Sequence, residues 1–343
     1  MSATPRSVIR YSLSTAGWFL LFLVGTELYM RLFVISIFPY SILNKGNIFE
    51  VWGVEGYGIV RYMPYSEVKT PYDSGKYSVA VLGNSYTMSK QVMDWKNYVS
   101  VAESNLRDRG VSADLHNLGL NGLTLPSYIA RSSFVLERYK PDVVVIQVAP
   151  NEFFSEGFQP YMRGGYFAYN AEGKLELVPT SAPNLLLPEQ IDENTPPVDF
   201  LDYFSITAYL AYTGRQEAEG SRPEIDRGDR NFEEIASAEL QLVADAYGDI
   251  PIVFVIIPHN INTNRKSSRY EDSARYSMII NLIGNTHPNW RVVYPIQEFN
   301  LLLKDGTAPM GFGNTKPFIG HINANGQRAL GEALAEVLAE ILK

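Results

Sequence analysis

Four short segments carry residues whose chemistry goes beyond structure. In VAVLGNSYT (Val79 to Thr87) a run of apolar β-formers ends in a Gly-Asn-Ser turn. A serine there stands at the carboxyl end of a strand, where α/β sheets bind ligands, just before a helix-competent stretch whose amides can stabilise an anion. Ser85 is therefore a candidate nucleophile. HNLGLNG (His116 to Gly122) sets Gly119 in a turn after a second strand-like run. A glycine amide can approach a reacting carbonyl closely because no Cβ intervenes. In QVAPNEF, Asn151 follows the most strand-like run of the chain, so its carboxamide is a further donor to an oxyanion. GHINANGQRALGEAL places His321 just ahead of the final helical stretch, in a chain with four histidines. Imidazole is the group suited to take a serine's proton near neutral pH. Each segment also has an ordinary reading: a serine N-cap, a turn glycine, a turn asparagine, a surface histidine. The set and its order carry the inference.

The elements that must position these residues are legible as an alternation. Val79–Leu82, Ala113–Leu118, Asp142–Val148, Ile252–Ile257 and Arg291–Tyr294 are short β-rich runs. Between and after them, Trp95–Arg109 (ending at Gly110), Pro126–Tyr139 and Asn325–Leu342 have helical spacing. Continuous apolar strands separated by helices imply a parallel sheet covered on both faces. From about residue 153 to 231 the alternation breaks. Tyr166–Val178 reads as a hairpin, Leu187–Val198 is rich in Pro, Glu and Asp, and residues 214–231 are polar and charged, as in a loop. The region is expected to be an insertion decorating the core.

Composition narrows the functional classes. Of 343 residues, 46% are hydrophobic and 19% charged, which suffices for a packed α/β core with appendages. The net charge of −8 argues against nucleic acid as a partner, because phosphate neutralisation needs a basic surface. The chain has no cysteine, so disulfides, thiolate metal sites and a cysteine nucleophile are excluded together. The four histidines lack metal-ligand spacing, so neither a metal nor a cofactor is expected.

The N-terminal 40 residues form a separate unit. Arg6 and Arg10 precede an apolar stretch from Trp18 to Phe38, closed by Pro39. As a helix this stretch would rise roughly 31 Å, the thickness of a bilayer core. No small-residue cleavage site follows, so an uncleaved signal anchor is expected, in preference to a cleaved signal peptide or a buried soluble helix. The arginines would keep the N-terminus cytoplasmic, making the protein single-pass in a bacterial inner membrane with its main domain periplasmic or extracellular. Glu27 and Arg31 lie inside the run four residues apart. They either pair with each other or present a contact face to a membrane protein partner. The expected organisation is thus 1–40 anchor, 41–76 linker and entry to the core, and 77–343 one domain with an insertion at about 153–231.

The ordered set strand-G-N-S, N-L-G, P-N-E and G-H-I-N-x-x-G-helix resembles the four blocks of the SGNH/GDSL hydrolase superfamily, over residues 77–343. The resemblance implies a three-layer α/β/α flavodoxin-like fold and a serine-dependent acyl-ester hydrolase or O-acyltransferase. It implies Ser85 as nucleophile and oxyanion donor, Gly119 and Asn151 as further donors, and His321 as general base. Four positions depart from it. Asn84 replaces the usual Asp, Ala149 and Glu152 replace the Gly and Asp around Asn151, and Phe318 stands where the D-x-x-H aspartate is expected. The last change removes the acid that orients the imidazole, leaving a Ser-His dyad unless an acid from elsewhere, such as Asp305, takes its place. The anchor and hairpin also look like SGNH proteins that accompany polysaccharide O-acyltransferases, which implies acylated envelope glycans or small esters as substrates. Two other functions compete: a catalytically degenerate scaffolding subunit, which Phe318 motivates, and a carbohydrate-binding module.

Overall fold

The computed structural model describes residues 5–29, 75–89, 91–120, 122–149, 153, 165–179, 232–258, 261–264, 267–312, 318 and 320–343. Within them the elements run α1 (Pro5–Tyr29), β1 (Tyr77–Leu82), α2 (Ser85–Met88), α3 (Tyr98–Asp108), β2 (Ala113–Asn117), α4 (Leu125–Ala130), α5 (Ser132–Tyr139) and β3 (Val143–Val148). A hairpin of β4 (Gly165–Tyr169) and β5 (Leu175–Pro179) follows, then α6 (Phe232–Tyr247) and β6 (Ile252–Ile256). The chain continues with β7 (Ile261–Asn264), β8 (Ser267–Tyr270), α7 (Ala274–Thr286), β9 (Arg291–Val293), α8 (Ile296–Lys304) and α9 (Ala324–Ile341).

Five strands form one sheet in the order β2-β1-β3-β6-β9, and every neighbouring pair is parallel. This is the flavodoxin-like doubly wound order, whose reversal point lies between β1 and β3. Alternate residues of each strand point to opposite faces. Ala80, Leu82, Val144, Ile146, Phe254 and Ile256 join a core with α4, α5, α6 and α7. Val79, Val81, Val143, Val145, Val253 and Val255 join a second core with α3, α8 and α9. All twelve of these strand residues are fully buried, so neither face of the central strands meets water. Each contributes about 1.5–3 kcal/mol of apolar burial if it is a Val, Leu, Ile or Phe. The three-layer α/β/α expectation is met.

Two expected helices are interrupted for local reasons. In place of one helix over Trp95–Arg109 there is a short 3₁₀ turn at Asp94–Lys96 and then α3. Asn97 separates them, its side chain accepting from Ser100 N at 2.9 Å as an N-cap. The stretch Pro126–Tyr139 is two helices, α4 and α5, jointed at Arg131. Arg131 is buried and its guanidinium donates to Leu118 O at 3.0 Å, a tertiary demand that helical periodicity does not reveal.

The hairpin predicted at Tyr166–Val178 is present as antiparallel β4 and β5. It does more than decorate, because Phe167 and Leu175, with Phe153, are buried in the core cluster beside α4 and α6. The remainder of the expected insertion lies outside the described residues, apart from Phe153 and 165–179. At the N-terminus, α1 covers Arg6, Arg10 and Glu27, with Trp18, Phe19, Leu20, Leu21 and Phe22 exposed. Among the described residues no helix is long and apolar enough to cross a membrane. Residues 30–38 of the apolar run, including Arg31, lie outside the described residues, as does the linker before residue 75.

Candidate active site

The candidate site lies at the carboxyl ends of β1 and β3, the two strands flanking the reversal point. β1 ends at Leu82, and Gly83-Asn84 turns the chain so that Ser85 is the first residue of α2. Asn84 is the N-cap, its side chain accepting from Tyr86 N at 3.0 Å. The serine is thus not the cap, and its side chain is half-buried. The helix after it is shorter than its sequence suggests, only four residues, ending at Ser89 in a left-handed conformation. With one turn there is little macrodipole, so any anion stabilisation must come from individual amides.

Beneath this turn runs a chain of buried side-chain hydrogen bonds. Gln147 of β3 accepts from Asn84 N at 3.2 Å and from Thr87 Oγ1 at 3.3 Å. Thr87 Oγ1 lies 2.8 Å from Tyr98 Oη of α3. Gln327, in the first turn of α9, closes the circuit: its Oε1 accepts from Tyr98 N at 2.8 Å. Its Nε2 donates to Ser89 Oγ at 2.8 Å and to Tyr86 O at 3.3 Å. Thr87, Tyr98, Gln147 and Gln327 are all buried. Burial pushes the Tyr98 hydroxyl far above its usual pKa, more than the Thr87 bond lowers it, so it stays a neutral hydrogen-bonding group. Three elements, β3, α3 and α9, are therefore tied to the turn that carries Ser85.

Gly119 lies in the turn after β2, as expected, and against α2, and its amide is engaged. It donates to Asn117 Oδ1 at 3.1 Å, while Asn117 Nδ2 donates to Thr87 O at 2.9 Å. Leu118 N and Leu120 N donate to Val81 O and Gly83 O, so the 118–120 segment tracks the nucleophile turn residue by residue. A Cβ on Gly119 would lie 2.5 Å from Met88 N and 2.7 Å from Thr87 Cβ. The close approach visible at this glycine is to the backbone of α2, which is a different contact from the expected one to a reacting carbonyl. Asn151, the expected donor after β3, lies outside the described residues.

His321 reaches the site from the other end of the chain. The segments 309–311 and 321–323 pair antiparallel: Gly311 N donates to His321 O at 3.0 Å and Asn323 N to Pro309 O at 3.1 Å. Asn323, the N-cap of α9, also donates to Ala308 O and Gly311 O, anchoring the segment two residues beyond the histidine. The half-buried His321 ring lies 5.0 Å from the Tyr86 ring, centroid to centroid, tilted by 35°. Tyr86 Oη also donates, at a long 3.4 Å, to Gly320 O. The residue adjoining Ser85 thus touches His321, and the two predicted reactive groups share one neighbourhood.

Phe318, at the position of the expected acid, has φ 68° and donates its N–H to Met310 O at 3.0 Å. A bulky residue in the left-handed region is an outlier. Asp305, the alternative acid, is the exposed C-cap of α8. Sequence reasoning did not single out Gln147, Tyr86, Tyr98, Gln327 or Tyr270. Gln147 had a signal, as the one polar residue within VVVIQV. Tyr270 is 1% exposed, and its hydroxyl has no hydrogen-bond partner among the described residues. Burial, and then the neighbouring Tyr86, push its pKa up and keep it protonated.

No family model matches the sequence, and no curated protein matches it. Solved structures similar to the chain are esterases and lipases of the GDSL/SGNH kind. TesA is 12% identical with a TM-score of 0.39, covering 77% of this chain and 98% of its own. The acetyl xylan esterase AlAXEase is 13% identical with a TM-score of 0.41, covering 76% and 99%. A Parabacteroides merdae protein assigned as a GDSL-like lipase is 14% identical with a TM-score of 0.38, covering 78% and 98%. The fold assignment itself rests on the strand order of this chain.

Proposed function

We propose that the chain is a serine-dependent acyl-ester hydrolase or O-acyltransferase using Ser85 and His321. The observation that carries this reading is the meeting of two distant segments. Ser85 opens a turn at the carboxyl edge of the sheet, and His321 rests against the adjoining Tyr86. In the proposed reaction the imidazole takes the Ser85 proton as Oγ bonds to the ester carbonyl carbon. Collapse of the tetrahedral adduct breaks the bond to the leaving alkoxide, which receives that proton and departs as an alcohol. Water or a sugar hydroxyl then attacks the acyl-enzyme, with His321 again moving the proton. The Ser85 amide and the Asn151 carboxamide are the proposed oxyanion donors, each worth about 3 kcal/mol in comparable sites. Gly119 would join them only by releasing Asn117 Oδ1.

The proposed setting is the outer face of a bacterial inner membrane, with residues 18–38 as anchor and acylated envelope glycans as substrates. The apolar run behind Arg6 and Arg10 supports the anchor, and its Glu27 and Arg31 would meet a membrane partner. A second reading, a degenerate scaffolding subunit, is favoured by Phe318, whose phenyl can neither accept a hydrogen bond nor carry charge. Turnover of p-nitrophenyl acetate by the full-length protein separates the two. The enzymatic reading expects slow turnover, lost in Ser85→Ala and His321→Ala, with a fluorophosphonate labelling Ser85. Absence of labelling, or activity surviving His321→Ala, overturns it.

A further inference from the structure

We infer that Tyr86 is the positioning residue for His321, its ring orienting the imidazole and compensating the charge that forms on it. The inference deepens the Ser85/His321 reading and rests on it. A base that takes a proton becomes an imidazolium, and its rate depends on how that charge and the ring's orientation are supported. Three residues before the histidine stands Phe318, which offers neither charge nor a hydrogen-bond acceptor in its side chain. What the structure does place against the imidazole is the Tyr86 ring, at 5.0 Å and 35°. That separation lies within the roughly 6 Å over which an aromatic face attracts a cation. The attraction exists only once the imidazole is charged, so it favours the transition state over the resting enzyme.

Tyr86 is itself held firmly enough to act as a guide. Its N–H is bound by the Asn84 side chain and its carbonyl by Gln327 Nε2. Its hydroxyl bridges to Gly320 O, one residue before the histidine and 234 residues away in sequence. Because Tyr86 adjoins Ser85, one residue ties the position of the base to that of the nucleophile.

The test is steady-state turnover of p-nitrophenyl acetate by full-length Tyr86→Leu, Tyr86→Met and Tyr86→Phe, with Ser85→Ala as the control. Losing the ring should lower kcat roughly tenfold with KM unchanged in Leu and Met, the size of a partly desolvated cation–π contact. Phe keeps the ring and loses only the long hydroxyl bond, so it should stay within about twofold. His321 C–H resonances, assigned among four histidines by their loss in His321→Ala, should move in Leu and Met but not in Phe. Wild-type turnover that does not depend on Ser85 overturns the functional reading and this inference together. Ser85-dependent turnover with kcat of the Leu and Met variants within twofold of wild type overturns the inference alone. So does a Phe variant as impaired as Leu.

Discussion

The turn that carries Ser85 and the turn that carries His321 are built by different means. Around Ser85 the main chain is held by side chains from other elements: buried Gln147 of β3 and Gln327 of α9, and half-buried Asn117 of β2. Thr87 and Tyr98 complete that circuit in the core. Around His321 the main chain is held mostly by itself, through the 309–311 and 321–323 bridge, with Asn323 adding side-chain bonds. Its neighbours Gly311, Phe318 and Gly320 all have positive φ, at 82°, 68° and 94°. A side-chain circuit in the core resists displacement because breaking any bond leaves a buried polar group without its partner. The described residues around His321, three of them at positive φ, have fewer such side-chain ties, and the Tyr86 ring lies beside the imidazole. The Ser85 turn is thus placed by the sheet, and the His321 ring is placed against Tyr86, the residue next to Ser85.

That contrast can be broken deliberately. The largest effect is expected from Gly119→Ala, whose Cβ would meet the backbone of Thr87 and Met88 at 2.8 and 2.5 Å. Main chain in a one-turn helix cannot rotate aside as a side chain can, so the cost should reach about 3 kcal/mol. Thermal unfolding measures it, and an unchanged Tm would show that the two turns are not rigidly apposed. Next comes Gln147→Leu, which removes the acceptor for Asn84 N–H and Thr87 Oγ1. The expected destabilisation is about 2 kcal/mol, with a fall in Ser85-dependent turnover on the order of 10²-fold if the turn shifts by an ångström. A variant equally destabilised but fully active would mean the circuit serves the core and not the site.

On the His321 side the effects should be smaller and of opposite sign. Phe318→Asp sets a residue that tolerates left-handed backbone where a phenylalanine now strains at φ 68°. It also restores a carboxylate three residues before the histidine. Turnover should rise by about tenfold, a fraction of the 10⁴ that a triad aspartate is worth, because this turn is not preorganised for it. Unchanged kcat would indicate that the side chain at 318 does not face the imidazole. The smallest effect is expected from Asp305→Asn, since Asp305 is an exposed helix cap. Stability should stay within about 0.5 kcal/mol and activity unchanged. A large loss of activity would mean that this acid, and not Tyr86, supports the base.

Particular residues show why some of this was legible in advance. The run Val143 to Val148 announces a doubly buried strand because every position must be apolar, and only Gln147 breaks it. The hairpin at Tyr166–Val178 announces itself through Asn170 to Gly173, whose turn bonds are local. By contrast the second hairpin, Ile261–Asn264 with Ser267–Tyr270, has two four-residue strands with no apolar alternation to betray them. Its pairing is a tertiary outcome. The division of 126–139 into α4 and α5 was hidden likewise, because Arg131 is a good helix former whose buried bond to Leu118 O is long-range.

Taken by itself, the sequence determined the parallel sheet, its covering on both faces and the serine at the end of its first strand. Those follow from hydrophobic periodicity and turn chemistry, which act over a few residues. Only the tertiary structure decided that Gly119 presses on α2, that Gln147 holds Asn84, and that Tyr86 meets His321. These contacts join residues far apart in the chain, and nothing local distinguishes a tyrosine that guides a histidine from one that faces water. The decision belongs to packing, because the α9–α3 contact is close enough that Gly331 meets Tyr98 O and Val101. That approach brings the first turn of α9 down onto the turn that carries Ser85, through Gln327.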